Sequence, residues 1–103
     1  MYIFNTTYHA HNSCADKFIQ WLRDTYIPKA LDSCLLIEPQ LSLIMATQQG
    51  DEGASYSLQF KVSDLNVLEK WYGETGTFLI KEMQQEFSQN VAGFSTIMEI
   101  MDT

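Results

Sequence analysis

The clearest pattern in the chain is an alternation of apolar and polar side chains between residues 55 and 62. The apolar positions are Tyr56, Leu58, Phe60 and Val62, and the polar positions between them are Ser55, Ser57, Gln59 and Lys61. A period of two is that of a β-strand, because successive side chains point to opposite faces of a sheet. This segment therefore predicts a strand with one apolar face.

Three further segments predict strands. Residues 1–10 are rich in aromatic and β-branched types, with Tyr2 and Phe4 on one face and Ile3 on the other. Residues 35–47 alternate in the same way, and Pro39 places this strand at an edge of the sheet because proline cannot donate to a neighbour. The polar, glycine-punctuated residues 48–53 predict a hairpin connection. The last strand is expected over residues 92–101, with one face formed by Phe94, Thr96, Met98 and Ile100.

Two other segments carry apolar residues at helical spacing. The first stripe is Ala15, Phe18, Ile19, Leu22 and Tyr26; the second is Leu65, Leu68, Tyr72, Leu79, Met83 and Phe87. Asn12 or Ser13 is expected to cap the first helix, because Ser13 and Asp16 resemble a capping box. Ser63 is expected to cap the second helix.

Proline and glycine predict where these helices are interrupted. Pro28 disfavours helical geometry at the residue before it, so the first helix is expected to end or kink near Tyr26, with an irregular turn over residues 29–31. Gly73 and Gly76 weaken the second helix and predict a break at residues 74–76.

The order strand, helix, strand, strand, helix, strand predicts one fold class. It is α+β and ferredoxin-like (βαββαβ), with a four-stranded antiparallel sheet in the order 4-1-3-2 and both helices on one face. The chain of 103 residues has room for one such domain, so residues 1–103 are expected to form a single ferredoxin-like domain.

Two helices can cover only one face of this sheet, and the other face is of intermediate polarity. Its polar residues are expected to be Ser55, Ser57, Gln59 and Lys61, with Asn5, Thr7 and His9. Its apolar residues are expected to be Ile3, Ile44, Ile97 and Met101. Such a face is poorly suited to bulk water and suits a second copy of the sheet. We therefore expect a homodimer that closes a shared barrel around a partly wet interior.

The amino-acid composition limits the binding partners and the cellular compartment that we expect. The net charge of −7 at pH 7 opposes binding to nucleic acids and to anionic membranes. No apolar run approaches the roughly 20 residues that span a bilayer, and the N-terminus lacks the features of a secretory signal. Cys14 and Cys34 are too few and too far apart for a disulfide scaffold or a C-x-x-C motif, so a reducing cytoplasm is expected.

Candidate chemistry is limited to amide, phenol, imidazole and indole groups. Asn5, Tyr26 and Gln59, with His9 as polar partner and Trp71 or Trp21 nearby, are candidates for a pocket between sheet and helices or inside the barrel. Such groups orient a planar, oxygenated molecule, and an aromatic wall stacks on it. His9 and His11 share a strand face and could chelate a metal, but no third ligand has a recognisable spacing. We therefore expect strand-end histidines, no metal and no cofactor.

Several segments together resemble an uncharacterised bacterial family of the dimeric α/β-barrel superfamily. They are Tyr2-Ile3-Phe4-Asn5-Thr6-Thr7, Trp21 followed by Tyr26-Ile27-Pro28, Tyr56-Ser57-Leu58-Gln59-Phe60, and Phe94-Ser95-Thr96-Ile97-Met98-Glu99-Ile100. The family commonly has a histidine before the Ile-Pro pair, where this chain has Tyr26. The superfamily includes cofactor-free monooxygenases of antibiotic biosynthesis, muconolactone isomerases and dye- or haem-handling enzymes.

The resemblance and the residues together lead to one main expectation and two alternatives. We expect a protein of unknown function that is a small homodimer, either structural or binding a small aromatic or apolar ligand. The first alternative is a cofactor-independent monooxygenase or isomerase that acts on a small aromatic compound. The second is a protein-interaction module that uses the acidic helical surface.

Overall fold

Four strands and two long helices alternate along the chain in the expected order. The computed structural model describes residues 1–45 and 53–101. The strands are β1 (Tyr2–His11), β2 (Ile37–Leu43), β3 (Gly53–Val62) and β4 (Val91–Glu99). The α-helical segments are α1 (Ala15–Trp21), α2 (Ile27–Asp32), α3 (Leu65–Trp71) and α4 (Thr77–Phe87). The π-helical turns Leu22–Tyr26 and Tyr72–Gly76 join them in pairs, and a 3-10 turn, Ser88–Asn90, precedes β4.

The strands form one antiparallel sheet in the order β2-β3-β1-β4. This confirms the predicted order and the ferredoxin-like class. On β1, Asn5 lies opposite Gln59 of β3 on one side and Thr96 of β4 on the other. The register of the two central strands therefore decides which side chains of β4 and β2 lie on each face.

The core lies between one face of the sheet and the helical segments. Its buried strand residues include Phe4, Tyr8, Ala10, Leu58, Phe60 and Val62. Its buried helical residues include Phe18, Leu22, Tyr26, Leu68, Trp71, Leu79 and Phe87. The predicted apolar faces of the first and third strands and both helical stripes are confirmed, except that Leu65 of the second stripe is exposed. Among residues 1–45 and 53–101, no helix has the length and apolarity needed to cross a bilayer.

The helix caps differ from the prediction. Cys14 is the N-cap of α1 and makes no side-chain cap bond, so the expected cap by Asn12 or Ser13 is wrong. The Ser13 hydroxyl instead bonds His11 Nδ1 at 2.9 Å, and this local contact competes with capping. Asp64, not Ser63, caps α3, because its carboxylate accepts a hydrogen bond from the Val67 amide at 2.9 Å.

Neither long helix breaks where proline or glycine predicted an interruption. At Pro28 the backbone passes through the π-turn and continues as α2 to Asp32, with the Ile27 amide bonded to the Leu22 carbonyl five residues earlier. The wider turn accommodates a residue that has no amide hydrogen. The predicted break at residues 74–76 is likewise wrong, because these residues lie within the second π-turn.

The edge position of β2 agrees with Pro39, but the strand is shorter than predicted. It begins at Ile37, and its register with β3 shifts between Ile37 and Gln40. Glu38, inside this irregularity, has a φ of 53°. A bulge at an edge is the setting in which a strand tolerates proline. The predicted connection lies outside the described residues, except for Gly53, which begins β3.

The predicted set of residues on the open face is wrong for two residues of the C-terminal segment. Ile97 pairs with Phe4, a core residue, so Ile97 lies on the helix side of the sheet, and Met101 lies beyond the end of β4. Phe94 and Met98 pair with Thr7 and Ile3 and therefore lie on the open face. The error arose because the parity of β4 is set by its pairing with β1, which the sequence of β4 alone does not contain.

Candidate functional site

A cavity of about 390 Å³ lies between the helices and the β1–β4 half of the sheet. Its walls are mainly aromatic rings and hydroxyl groups: Phe4, Thr6, Tyr8, Tyr26, Trp71, Tyr72 and Ser95. Its rim includes Ile80, Met83 and Gln84 of α4 and Ala92 and Gly93 of β4. A concave site with apolar walls and a few polar groups is the usual form of a small-molecule pocket.

The strands shape one side of the cavity. Phe4, Thr6 and Tyr8 occupy alternate positions of β1 and so project towards the helices. Gly93 of β4 lies opposite Tyr8, and a Cβ atom added to it would lie 2.8 Å from Tyr8 Cδ1. Glycine at this position therefore leaves room for the Tyr8 ring against β4.

The two π-turns shape the other side. Tyr26 is the last residue of the first π-turn, and Trp71 and Tyr72 stand at the start of the second. A Cβ atom on Gly76 would lie 2.6 Å from Trp71 Cζ3, so only glycine accommodates the indole without a shift. The Thr77 hydroxyl donates a hydrogen bond to the Tyr72 carbonyl at 2.7 Å. Such π-turns are frequent at functional sites, and here both present aromatic side chains to one cavity.

The aromatic rings of the cavity contact one another edge to face or tilted. The centroid of the Phe4 ring lies 5.6 Å from that of Trp71 and 5.5 Å from that of Tyr72. The centroids of Tyr26 and Trp71 are 6.4 Å apart. These separations are within the range of favourable aromatic pairs, so the rings hold one another in place.

A chain of hydroxyl groups crosses the cavity wall. The Tyr72 hydroxyl donates to Ser95 Oγ at 3.4 Å, and Ser95 Oγ bonds Thr6 Oγ1 at 3.1 Å. Burial raises the pKa of Tyr8 to about 12 and holds the pKa of Tyr26 well above its ordinary value. Both phenols therefore stay protonated at neutral pH.

The indole nitrogen of Trp71 takes no part in this hydrogen-bond network. Trp71 is 1% exposed, and its Nε1 has no hydrogen-bond partner among the described residues. The other tryptophan, Trp21, donates from Nε1 to Glu82 Oε2 at 2.9 Å. A buried donor without an acceptor costs about 1–3 kcal/mol, and such a group in a native structure calls for an explanation.

The predicted pocket residues do not form one site. Tyr26 and Trp71 line the cavity, whereas Asn5, His9 and Gln59 lie on the open face, because odd positions of β1 and β3 alternate with the core residues. The structure thus divides these five residues between the cavity and the open face. Thr6 and Tyr8 were missed, although the period of two already puts them on the Phe4 face.

The odd positions form a separate polar ladder on the open face. Asn5 accepts a hydrogen bond from the Ser57 hydroxyl and donates to Thr7 Oγ1 at 3.2 Å. His9 Nδ1 bonds Ser55 Oγ at 3.0 Å. Among the residues that the structure describes, no cluster of three or more His, Cys, Asp or Glu side chains could hold a metal ion.

Comparison with known proteins supports the fold and the family. A family model described as a domain of unknown function (DUF4286) matches residues 1–101. No curated protein matches the sequence. A putative antibiotic biosynthesis monooxygenase from Deinococcus radiodurans is similar in structure, with a TM-score of 0.73, 16% identity, and coverage of 100% of this chain and 95% of that chain.

Two other solved structures lead to the same conclusion. HapK from Hahella chejuensis has a TM-score of 0.71 and 16% identity over 100% of this chain and 95% of its own. A dimeric ferredoxin-like protein from an uncultured marine organism has a TM-score of 0.64 and 13% identity over 99% of this chain and 97% of its own. At this level of identity, the likenesses establish the ferredoxin-like fold.

Proposed function

Since the chain belongs to the DUF4286 family, a domain of unknown function, we propose that it is a small homodimer that binds a small aromatic or apolar molecule. The molecule occupies the cavity beside β4, and the second copy covers the open face of the sheet. Of the five residues predicted to form the site, Tyr26 and Trp71 line the cavity. Asn5, His9 and Gln59 line the interior between the two sheets.

The observation that carries the binding function is the cavity itself. It measures about 390 Å³, and four of the aromatic residues that line it, Phe4, Tyr8, Tyr26 and Trp71, belong to the packed core. Because close-packed core side chains are held in place, these rings give the space preformed apolar walls, as small-molecule sites usually have. Gly76 and Gly93 contribute to this, because each leaves room for one ring of the wall.

The open face supports the homodimer. Phe94 is 65% exposed and Met98 is 37% exposed on this face, beside the polar ladder of β1 and β3. A mixed surface with large apolar side chains is typical of interfaces between protein subunits. Two structural relatives are described as dimeric, which lends the proposal further support. Free Cys14 and Cys34 are compatible with the cytoplasm, which we keep as the proposed location.

A pair of neighbouring surface residues on α4 tests the binding function. Gln84 lies at the cavity rim, whereas Gln85 is exposed on the same helix and does not line the cavity. The probe is N-phenylnaphthylamine, a neutral aromatic molecule whose fluorescence rises in apolar surroundings. We expect saturable binding to the unaltered protein, loss of binding in Gln84→Trp because the indole blocks the rim, and retention in Gln85→Trp. Equal binding by all three proteins, or by none, would contradict the proposal.

A further inference from the structure

A side-chain hydrogen bond joins the helical layer to the edge strand β4 across the cavity. The Tyr72 hydroxyl, on the second π-turn, donates to Ser95 Oγ on β4 at 3.4 Å. Ser95 pairs with Thr6, which lies on the Phe4 face of β1, so Ser95 lies on the helix side of the sheet. Tyr72 and Ser95 both line the cavity, so the bond lies where the two layers face each other across this space.

This bond is accessible from the cavity. Ser95 is exposed, Tyr72 is half-buried, and the hydrogen bond between them is itself exposed. Because Ser95 lies on the helix side of its strand, its hydroxyl borders the cavity and not the open face. A molecule that enters the cavity therefore meets these two oxygens.

The bond between Tyr72 and Ser95 is also long. Hydrogen bonds between hydroxyl groups usually measure about 2.5–3.0 Å between the two oxygens, and they weaken as this distance grows. At 3.4 Å the bond keeps the two side chains close together but stabilises the structure little. A ligand oxygen at the usual distance from both groups would therefore exchange one weak bond for two stronger ones.

A hydroxyl group on the ligand matches both oxygens from a single atom. It accepts a hydrogen bond from the Tyr72 hydroxyl and donates its own proton to Ser95 Oγ. Ser95 Oγ also bonds Thr6 Oγ1 at 3.1 Å, and either oxygen can be the donor in that bond. Because Ser95 has two lone pairs and one proton, it accepts from the ligand in both cases. A ligand hydroxyl thus makes two bonds whichever way the bond between Ser95 and Thr6 runs.

Ether and carbonyl oxygens match this pair less well, because they only accept hydrogen bonds. Such an oxygen takes the proton of Tyr72, and it bonds Ser95 as well only if Thr6 is the donor to Ser95. A hydrocarbon makes neither bond. The expected order of affinity for ligands of similar shape is therefore alcohol, ether and hydrocarbon.

The charge and the rings of the cavity limit the rest of the ligand. Of the described residues that line the cavity, none has a side chain that is charged at neutral pH. A charged ligand would leave water without a counter-charge, which is costly in an apolar site. The ring centroid of Phe4 lies 5.6 Å from that of Trp71 and 5.5 Å from that of Tyr72, and these rings give the site apolar walls that suit an aromatic molecule.

We infer that the cavity selects a neutral aromatic molecule that carries a hydroxyl group, and that this hydroxyl binds between Tyr72 Oη and Ser95 Oγ. The inference rests on the proposed binding function and adds the chemical class of the ligand. It makes Tyr72 and Ser95 the residues that determine specificity, whereas the aromatic walls bind ligands with and without the hydroxyl group.

The test compares three naphthalenes that differ in one substituent. They are 2-naphthalenemethanol, 2-(methoxymethyl)naphthalene and 2-ethylnaphthalene, which carry a hydroxyl, a methoxy and a methyl group on the same carbon. Dissociation constants are measured with the unaltered chain by competition against N-phenylnaphthylamine. We expect the alcohol to bind about tenfold more tightly than the ethyl compound, which is the usual size of one well-made hydrogen bond, with the ether in between.

Two variants and one control assign this preference to the named residues. Ser95→Ala and Tyr72→Phe should each lower the preference for the alcohol, and the double variant should bind the alcohol and the ethyl compound equally. Both variants should fold, because Tyr72→Phe keeps the ring that contacts Phe4 and Ser95 is exposed on an edge strand. Ser57→Ala should keep the full preference, because Ser57 lies on the open face and bonds Asn5.

The outcomes distinguish this inference from the function on which it rests. If N-phenylnaphthylamine binds but the alcohol binds no more tightly than either of the other two compounds, the cavity binds aromatic molecules and the inferred ligand class is wrong. If the double variant keeps the full preference for the alcohol, the assignment of Tyr72 and Ser95 is wrong. If N-phenylnaphthylamine and all three compounds fail to bind, the proposed function is contradicted, and this inference with it.

Discussion

The two faces of the central strand β1 satisfy their polar groups in different ways. On the open face, Asn5 bonds Ser57 and Thr7, and His9 bonds Ser55, so the ladder is satisfied within the sheet. On the helix side, the hydroxyl chain is also connected, but Trp71 Nε1 has no acceptor among the described residues. The polar groups named on the open face are thus bonded within the sheet, whereas the helix side keeps one buried donor without an acceptor in the described part of the chain.

The two faces also differ in how far their large apolar side chains are buried within the protomer. On the helix side, Phe4 and Phe60 are almost fully buried within the protomer. On the open face, Phe94 and Met98 remain exposed. Burial of large apolar side chains is the main source of folding stability, so the helix side stabilises the protomer and the open face retains apolar area for association.

The largest expected effect comes from shortening neighbouring residues of β3 that point to opposite faces. Phe60→Ala empties a site in the core and should lower the free energy of unfolding by about 3–5 kcal/mol. Gln59→Ala, on the open face, should change it by less than about 1 kcal/mol. Urea unfolding at one fixed protein concentration measures both. Equal losses would contradict the assignment of the two faces.

The next effect concerns the π-turn that carries the cavity wall. Gly76→Ala places a methyl group against the Trp71 ring, 2.6 Å from Cζ3, and should lower the free energy of unfolding by about 1–3 kcal/mol. Gly73→Ala is the matched control in the same turn, because no atom lies within 4 Å of its added Cβ. That variant should be neutral or more stable by up to about 1 kcal/mol. Thermal unfolding of both variants distinguishes crowding from helix propensity.

A charge on the open face should weaken association while leaving the protomer folded. Met98→Lys buries an unpaired ammonium group in the proposed interface, so we expect the dimer dissociation constant to rise at least about tenfold. Phe78→Lys is the control, because Phe78 is 71% exposed on α4, away from the sheet. Sedimentation equilibrium measures both constants, and circular dichroism checks the fold. An unchanged constant in Met98→Lys would place the interface elsewhere.

The smallest expected effect is a pH dependence of the folding stability, which arises from Tyr8 on the helix side of the sheet. The pKa of Tyr8 is raised from 10.0 to about 12, so the native state holds its proton more tightly than the unfolded chain. Its contribution to stability is complete below pH 10 and falls as the pH rises towards 12. At pH 10.5 the loss should be about 1 kcal/mol or less. Chemical denaturation at a series of pH values measures this fall. In the Tyr8→Phe protein, stability should fall less steeply above pH 10 than in the unaltered protein. An identical fall in both proteins would contradict burial of the phenol.

The fold was predictable because its signals are local. The alternation at Tyr56–Val62 and the helical stripes ending at Tyr26 and Phe87 identify elements whose order allows few topologies. The π-turns were not predictable in this way. Pro28 and Gly76 mark them in the sequence, but both residue types also mark helix ends, so the linear pattern does not distinguish a π-turn from an end.

The candidate site was predictable only in part. Tyr26 and Trp71 were found because large aromatic side chains on helices are visible in the sequence. Asn5 and Gln59 were grouped with them although the period of two separates the faces of a strand. The donor without an acceptor on Trp71, and the room that Gly93 leaves for Tyr8, are properties of three-dimensional contacts that the linear pattern does not contain.

The most direct test of the account is the mass of the protein in solution at micromolar concentration. The open face retains exposed Phe94 and Met98 in the protomer, so the account predicts a particle of twice 11.8 kDa in a sedimentation velocity experiment. The Met98→Lys protein should shift towards the mass of one chain in the same experiment. A folded protomer of 11.8 kDa for the unaltered sequence would contradict the account.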